Sequence, residues 1–144
     1  NAKEDFKNSK FMVFSGAHGE FWENIFKQCL NIEKIVHCEP YQAAFMKHTI
    51  NSFLATKVLW FNELYQLYSK YSENYDTLRD LVQLDERLGK SHMSVPGPDG
   101  EFGFGGACFP KDTKAFSAFA KYTDRPMELI EKTIEVNKRI RMPK

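Results

Sequence analysis

A long segment without glycine or proline is the feature of this sequence that most restricts its fold. Residues 41–72 contain neither residue, and apolar side chains recur along them mostly at intervals of three or four. That spacing predicts one helix, roughly 45–50 Å long at a rise of about 1.5 Å per residue. The apolar positions form two rows, Met46, Ile50, Phe53, Trp60, Leu64 and Leu67, and Leu54, Val58, Phe61, Tyr65 and Tyr68. Because a helix with more than one apolar side is buried on several faces, we expect a homodimer that packs along residues 41–72.

The segment before this helix has the pattern of a small α/β unit. Residues 11–14 and 35–38 are short apolar runs typical of strands, and residues 20–30 between them have helical spacing. Strand–helix–strand order is typical of an open α/β sheet, and two strands alone are marginally stable. We therefore predict that residues 1–39 are the C-terminal remnant of a Rossmann-like α/β domain. The remainder, residues 40–144, is predicted to be a helical domain.

The second half of the chain alternates short helices with one long loop. Helical spacing predicts elements over residues 75–84, from Pro110 to about Tyr122, and from Pro126 onward. Residues 85–107 contain six glycines and two prolines, and long irregular loops of this kind are usually functional. The predicted fold class is therefore mainly α, with one very long helix after the strand–helix–strand remnant.

Charge and cysteine content exclude several classes of function. The chain carries 20 basic and 19 acidic residues, a balance that argues against a nucleic-acid or membrane-surface binder. It has no stretch of about 18 apolar residues, so no transmembrane helix is expected. Three cysteines without a CxxC pair favour a reducing cytoplasm over a disulfide framework, and no His or Cys spacing suits a metal.

A glycine-rich segment ends in a cysteine that is the strongest catalytic candidate. Residues 103–106 include three glycines, which let the backbone approach a ligand closely, and Cys108 precedes a helix predicted to begin at Pro110. The positive end of the helix dipole favours a thiolate, the nucleophilic form of cysteine. Asp112 lies one helical turn later, where it can orient water or take a proton. The alternative is a buried structural cysteine with Asp112 as a charge at the helix N-terminus.

Two further sites are suggested by charged and amide side chains. Lys47 and Asn51 are four residues apart in the predicted long helix and share one face, where they can stabilise an oxyanion. The alternative is a lysine that extends to solvent beside a hydrated asparagine. Arg87 ends the short helix and can bind a phosphate, or it can simply interact with the negative end of the helix dipole.

Four ordered segments give the sequence a resemblance to a known family. They are residues 47–57 (KHTINSFLATK), 62–63 (NE), 85–89 (DERLG) and 103–112 (GFGGACFPKD), and Asn137 follows in the same order. The chain resembles the UDP-glucose/GDP-mannose dehydrogenase family over about residues 10–142. The match runs from the end of the family's NAD-binding domain through its central dimerisation domain.

The resemblance implies catalytic roles for four residues and a substrate-binding role for a fifth. Cys108 corresponds to the covalent nucleophile. Lys47 and Asn51 correspond to the pair that brackets the reacting carbon. Asp112 corresponds to an aspartate that assists water and proton transfer, and Arg87 to an arginine that reaches the substrate of the partner subunit.

The same resemblance implies a substrate-binding loop. Ser91, His92 and Met93 begin the segment expected to hold the nucleotide through backbone groups, and Phe104 and Gly105 are expected to contact the substrate. Phe109 after Cys108 favours UDP-glucose as the substrate.

The implied reaction is a four-electron oxidation of the sugar C6 alcohol to a carboxylate with NAD, through a thiohemiacetal and a thioester on the cysteine. No GxGxxG follows an N-terminal strand, so the family's NAD-binding domain is almost wholly absent from this sequence. We therefore expect NAD to be bound mainly by a separate segment, and the chain to be inactive by itself. The alternatives are a GDP-mannose dehydrogenase fragment and a non-catalytic dimerisation module.

Overall fold

The computed structural model describes residues 2–142. In chain order its elements are α1 (Ala2–Lys7), β1 (Phe11–Ser15), α2 (Gly19–Cys29), β2 (Lys34–Cys38), α3 (Pro40–Tyr68), α4 (Tyr75–Val82), a short 3₁₀ helix (Glu86–Leu88), α5 (Phe109–Tyr122) and α6 (Glu128–Ile140). The predicted fold class is therefore confirmed: the chain is mainly helical, with one very long helix after a strand–helix–strand unit. No helix among the described residues is both long and apolar enough to cross a membrane.

The chain divides into two compact units, and the first ends at Lys47. In this unit β1 and β2 pair in parallel, from Phe11 opposite Lys34 to Ser15 opposite Cys38. Parallel neighbours need a crossover, and α2 provides it. The division falls within α3, and the domain boundary at residues 39/40 stays a prediction.

The second unit begins at His48 and is built around the remainder of α3. One core cluster joins α3 to the long loop of residues 85–107 through Ala55, Leu59 and Phe104. Side chains of α5 and α6 pack against this cluster. A second cluster joins α3 to α4 and to the loop through Phe61, Tyr75 and Met93. The loop therefore lies against α3 at two places, and its backbone is part of the packed structure.

Only one side of α3 is buried within the chain. Its buried side chains include Ala55, Leu59 and Phe61, whereas Phe53, Trp60 and Leu67 remain more than 60% exposed. The prediction of an apolar helix with more than one hydrophobic side is therefore confirmed for this part of α3. The exposed row leaves a hydrophobic surface of the kind that usually contacts a partner.

The long helix ends four residues before the predicted boundary, although neither glycine nor proline is present. Beyond Tyr68, the backbone N–H groups of Lys70 and Tyr71 form tighter turn bonds to residues three positions earlier. The Asn74 N–H then donates to the Ser72 hydroxyl, and the Asn74 side chain accepts from the N–H of Thr77. This last bond caps α4, so short polar side chains replace the usual helix breakers.

Candidate active site

Cys108 lies at the N-terminus of α5, as the sequence predicts. It is the N-cap residue, it is exposed, and Pro110 occupies the first turn of the helix. Gly106 has a φ of +74°, a conformation that favours glycine and turns the chain into the helix. The thiol is therefore presented to solvent beside free backbone N–H groups, an arrangement suited to a reactive cysteine.

Asp112 lies beneath Cys108 in the first turn of α5 and connects that helix to α3. Its backbone N–H donates to the Cys108 carbonyl at 2.9 Å, and its side chain is almost fully buried. The Asn51 amide donates to Asp112 Oδ2 at 2.6 Å, and the Lys111 ammonium donates to Oδ1. Both carboxylate oxygens are therefore hydrogen-bonded, as a buried charge requires.

Lys111 is a charged neighbour of the cysteine that sequence reasoning did not single out. The Asp112 carboxylate raises the pKa of Lys111, mainly by accepting its hydrogen bond, and the charges of Asp112 and Cys108 add to the effect. The sequence signal for Lys111 was its position between Cys108 and Asp112 in the segment 103–112. The structure therefore places an ammonium group near the candidate nucleophile.

Lys47 lies on α3, one helical turn before Asn51, and its side chain is exposed. It is the last residue of the first compact unit. Both residues of the predicted pair therefore lie on α3. The approach of Lys47 to Cys108 stays a prediction.

A cavity of about 520 Å³ lies beside the cysteine in the second unit. Its lining is Val58, His92, Ser94, Pro96, Gly97, Pro98, Asp99, Gly103, Phe104, Gly105, Gly106 and Phe109. Gly106 and Phe109, which lie two residues before and one residue after Cys108, line the cavity, whereas Cys108 itself is not among the lining residues. A mostly apolar cavity of this size, with a few polar groups, is suited to a small ligand.

The residues that begin the predicted substrate loop occupy different environments. Ser91 is exposed, whereas the Met93 side chain is buried in the core and its carbonyl accepts a 2.9 Å hydrogen bond from the Tyr75 hydroxyl. His92 has a φ of +63°, and its ring centre lies 5.4 Å from that of Phe109. Of the three, only His92 lines the cavity.

His92 is biased toward its neutral form. His92 is exposed, but the partial burial of its ring lowers its pKa, and the positive charge of Lys57 lowers it further. The Lys57 ammonium donates to the carbonyl of Leu88 at 2.8 Å, where the 3₁₀ helix ends. A neutral imidazole beside the cavity both donates and accepts hydrogen bonds, as uncharged polar groups of a ligand require.

Arg87 is not part of this cavity. Its side chain is 89% exposed and pairs with Asp85 at 2.5 Å, so that Asp85 raises the pKa of the guanidinium. It lines a second depression, of about 340 Å³, together with exposed apolar residues of α3 that include Phe53 and Trp60. Arg87 therefore lies beside the hydrophobic surface of α3.

Three asparagine and arginine side chains fix the wall of the cavity. The Gly103 N–H donates to Asn62 at 2.8 Å, and Asn137 bonds both the N–H and the carbonyl of Phe104. Arg141 pairs with Asp99 at 2.8 Å. The family motifs include both asparagines, but their spacing gave no sign of which backbone they would bind.

Comparison with known proteins identifies the family. Residues 41–139 match the model of the UDP-glucose/GDP-mannose dehydrogenase family, central domain. The chain belongs to this family. The matched segment contains Asn51, Cys108 and Asp112, which the fold brings to one site.

Relatives within the family share most of this chain. The UDP-glucose 6-dehydrogenase of Rhizobium meliloti (strain 1021) is 33% identical over 142 residues, which cover 94% of this chain and 31% of that protein. UDP-glucose 6-dehydrogenase TuaD of Bacillus subtilis (strain 168) is 36% identical over 100 residues, or 69% of this chain and 21% of the relative. The chain thus spans less than a third of the length of these relatives.

A solved structure from the same family has the same fold. The UDP-glucose dehydrogenase from the hyperthermophilic archaeon Pyrobaculum islandicum superposes with a TM-score of 0.83 at 30% identity. The alignment covers 96% of this chain and 31% of the archaeal one. The aligned part of this chain therefore includes residues of both compact units.

The first unit lacks the usual glycine-rich sequence pattern of a dinucleotide site. The turn between β1 and α2 lacks the GxGxxG pattern that binds a pyrophosphate. A Cβ on Gly19 would lie 2.6 Å from the His37 ring, so this glycine allows α2 to pack against β2. Among residues 2–142 there is also no group of three or more side chains arranged to hold a metal ion.

Proposed function

We propose that this chain is the sugar-nucleotide-binding central part of an NAD-dependent UDP-glucose 6-dehydrogenase. The observation that carries the proposal is the position of Cys108 at the start of α5, beside the cavity, with Asp112 and Asn51 hydrogen-bonded below it. The relatives at 33% and 36% identity bear the name UDP-glucose 6-dehydrogenase, which favours UDP-glucose over GDP-mannose as substrate.

The cysteine supplies the covalent chemistry. The Cys108 thiolate adds to the C6 aldehyde of the sugar and forms a C–S bond, while the carbonyl oxygen becomes a thiohemiacetal oxyanion. After oxidation of that adduct to a thioester, water attacks the carbonyl carbon, the C–S bond breaks, and the carboxylate is released. Each addition places negative charge on the same oxygen.

The polar groups around the cysteine stabilise that oxygen and direct the water. We assign the oxyanion contacts to the Asn51 amide and the Lys47 ammonium, because preorganised donors lower the barrier most where charge develops. Asp112 accepts a hydrogen bond from one N–H of the Asn51 amide and so fixes the amide. We assign the second N–H of that amide to the oxyanion. Asp112 also assists proton transfer from the attacking water.

The cavity wall and the loop bind the nucleotide sugar. Backbone groups of Phe104 and Gly105 approach the sugar, and the segment from Ser91 to Met93 holds the nucleotide. The Met93 carbonyl accepts from Tyr75, so we assign the ligand contact of this residue to its backbone N–H. His92 stands over Phe109, where its neutral ring contacts uncharged ligand groups.

Oxidation requires components outside this chain. The two oxidations need a hydride acceptor, which we take to be NAD bound mainly by a separate segment, since the turn between β1 and α2 lacks the GxGxxG pattern. We infer that the chain alone does not complete the reaction, and that it works in the cytoplasm. It forms a homodimer through the exposed face of α3, which brings Arg87 of each protomer toward the partner's substrate.

Cysteine alkylation tests the site with this chain alone. In a Cys29→Ser, Cys38→Ser background the remaining thiol is Cys108, and iodoacetamide labels it near neutral pH. Saturating UDP-glucose is expected to slow labelling about tenfold or more, whereas GDP-mannose leaves the rate unchanged. Protection by GDP-mannose alone would identify GDP-mannose as the substrate. If neither compound slows labelling, the proposed function fails and the alternative of a non-catalytic dimerisation module is favoured.

Complementation tests the enzyme as a whole. Adding an NAD-binding segment from a relative, with NAD and UDP-glucose, is expected to restore NADH formation. The Cys108→Ser variant, in the same mixture, is expected to stop before the carboxylate. NADH formation by this chain with no other polypeptide present would refute the inference that it is inactive alone.

A further inference from the structure

We propose that Arg141 is a positioning residue that holds the glycine-rich wall of the cavity, residues 97–106, in the shape that accepts the ligand. Arg141 follows the end of α6 and does not line the cavity itself. Its side chain instead lies behind the wall and contacts it at two separated places. The proposal rests on the proposed function for the identity of the ligand, and on geometry alone for the role of the arginine.

The first contact is an ion pair at the beginning of the wall. Arg141 Nη2 donates to Asp99 Oδ2 at 2.8 Å, and the arginine side chain is 26% exposed. Asp99 also accepts from the N–H of Glu101 at 3.2 Å, which closes a turn within the wall. Gly97 and Gly100 complete that turn through a 2.9 Å backbone hydrogen bond. Arg141 therefore fixes a carboxylate that is itself bonded to the loop backbone.

The second contact is a close approach at the end of the wall. A Cβ on Gly105 would lie 2.7 Å from Arg141 Nη1 and 2.8 Å from both Cζ and Nη2. These nearly equal distances mean that the flat guanidinium lies against the glycine, where only a hydrogen fits. Nη1 is buried and has no hydrogen-bond partner among the described residues. Its position is thus dictated by the contact with Gly105 and the pair with Asp99.

The wall between these contacts carries the ligand-facing backbone. Gly103, Phe104 and Gly105 all line the cavity, and Asn137, one turn earlier on α6, bonds both backbone groups of Phe104. Removal of the guanidinium leaves Asp99 without its cationic partner and opens space next to Gly105. Because a preorganised loop loses less entropy on binding than a mobile one, we expect ligand affinity to depend on Arg141.

Hydrogen exchange in the ligand-free chain tests the role of the arginine directly. In Arg141→Ala the amides of Gly103, Phe104 and Gly105 are expected to exchange roughly tenfold faster, as the loss of a charge-assisted contact implies. The Arg141→Lys variant keeps a cation for Asp99 but not the flat group, and an intermediate rate is expected. Arg139→Ala, an exposed arginine two positions earlier, is the matched control and should match the wild type.

Ligand binding separates positioning from general stability. For Arg141→Ala we expect UDP-glucose to bind about tenfold more weakly, while the unliganded alkylation rate of Cys108 and the midpoint of thermal unfolding stay close to wild type. Unchanged exchange in the wall, or an equal loss of affinity in Arg139→Ala, would overturn the proposal. If the wild-type chain does not bind UDP-glucose, the proposed function fails, and the exchange rates still decide the role of Arg141.

A double variant tests the contact with Gly105. Gly105→Ala alone is expected to weaken binding, because its new methyl group collides with the guanidinium. In the Arg141→Ala background the space is open, and the same Gly105→Ala change should cause no further loss. Additive losses would show that the two residues act independently and would contradict the proposed contact.

Discussion

The side-chain amide of Asn51 donates a 2.6 Å hydrogen bond to the carboxylate of Asp112, a residue 61 positions later in the chain. The bond joins the middle of α3 to the first turn of α5, directly below Cys108. Asp112 is buried, so an anion at this position depends on its donors. The pair therefore has a structural role that is measurable separately from catalysis.

Asn51→Ala removes one donor from that buried carboxylate. We expect the free energy of unfolding to fall by about 1–3 kcal/mol, the usual effect of leaving a buried polar group unsatisfied. Urea denaturation of the ligand-free chain measures the difference. Thr49→Ala, an exposed change two residues earlier on α3, should alter the free energy of unfolding by less than about 0.5 kcal/mol. Equal values for the two variants would rule out a stabilising role for the bond.

Tyr75→Phe removes the hydroxyl that anchors the start of the substrate loop. The hydroxyl donates to the Met93 carbonyl at 2.9 Å, and its loss should lower the free energy of unfolding by about 1–2 kcal/mol. Ligand-free denaturation at neutral pH measures this effect. Tyr122→Phe, at an 87% exposed position, is the control and should be neutral.

The same tyrosine makes stability depend on pH in the alkaline range. Burial raises the pKa of Tyr75 from its ordinary value near 10 to about 12. A raised pKa means that the folded state binds the proton more tightly, so this contribution is complete below about pH 10 and is lost as the pH rises toward 12. The wild type should therefore lose stability relative to Tyr75→Phe over that interval. If the free energy of unfolding varies with pH in the same way in both proteins, Tyr75 is not the group responsible.

The order of elements was predictable because it depends on local patterns. Hydrophobic spacing predicted α3, and Pro110 predicted the start of α5 to within one residue. The end of α3 was missed because Ser72 and Asn74 stop the helix and begin the next one with side-chain hydrogen bonds, which periodicity does not record.

Those parts of the site that lie close together in sequence were predictable. Contacts between segments far apart in sequence were not. Cys108 and Asp112 are one helical turn apart, so their proximity follows from α5 alone. The bond from Asn51 to Asp112, and the contact of Arg141 with Gly105, join distant segments whose separation carries no such signal. Likewise, no local pattern distinguishes Met93, whose side chain is in the core, from His92, which borders the cavity.

The ion pair between Asp99 and Arg141 predicts a lowered pKa for the Asp99 carboxyl group. The hydrogen bond from Arg141 lowers the pKa of Asp99, and the Glu101 N–H adds to the effect. A lowered pKa means that the pair supports the loop above the ordinary aspartate range and is lost as the pH falls through the folded-state pKa. A carbon NMR titration of the Asp99 carboxyl should show the lowered pKa in the wild type. The pKa of Asp99 should rise toward its ordinary value in Arg141→Ala, and identical titrations would disprove the pairing in solution.

Trp60→Asp tests the proposed dimer through α3. Trp60 is 69% exposed within the chain, so the substitution should leave the fold of the protomer intact while placing a charge in the hydrophobic surface. Loss of a central tryptophan at an interface costs about 2 kcal/mol or more, and the dimer dissociation constant should rise about thirtyfold or more. Analytical ultracentrifugation over a concentration series measures the change. Leu129→Asp, equally exposed but on α6, should leave the constant unchanged. A wild-type chain that sediments as a monomer throughout the series would remove α3 as the dimer surface, and with it the proposed reach of Arg87 into the partner's cavity.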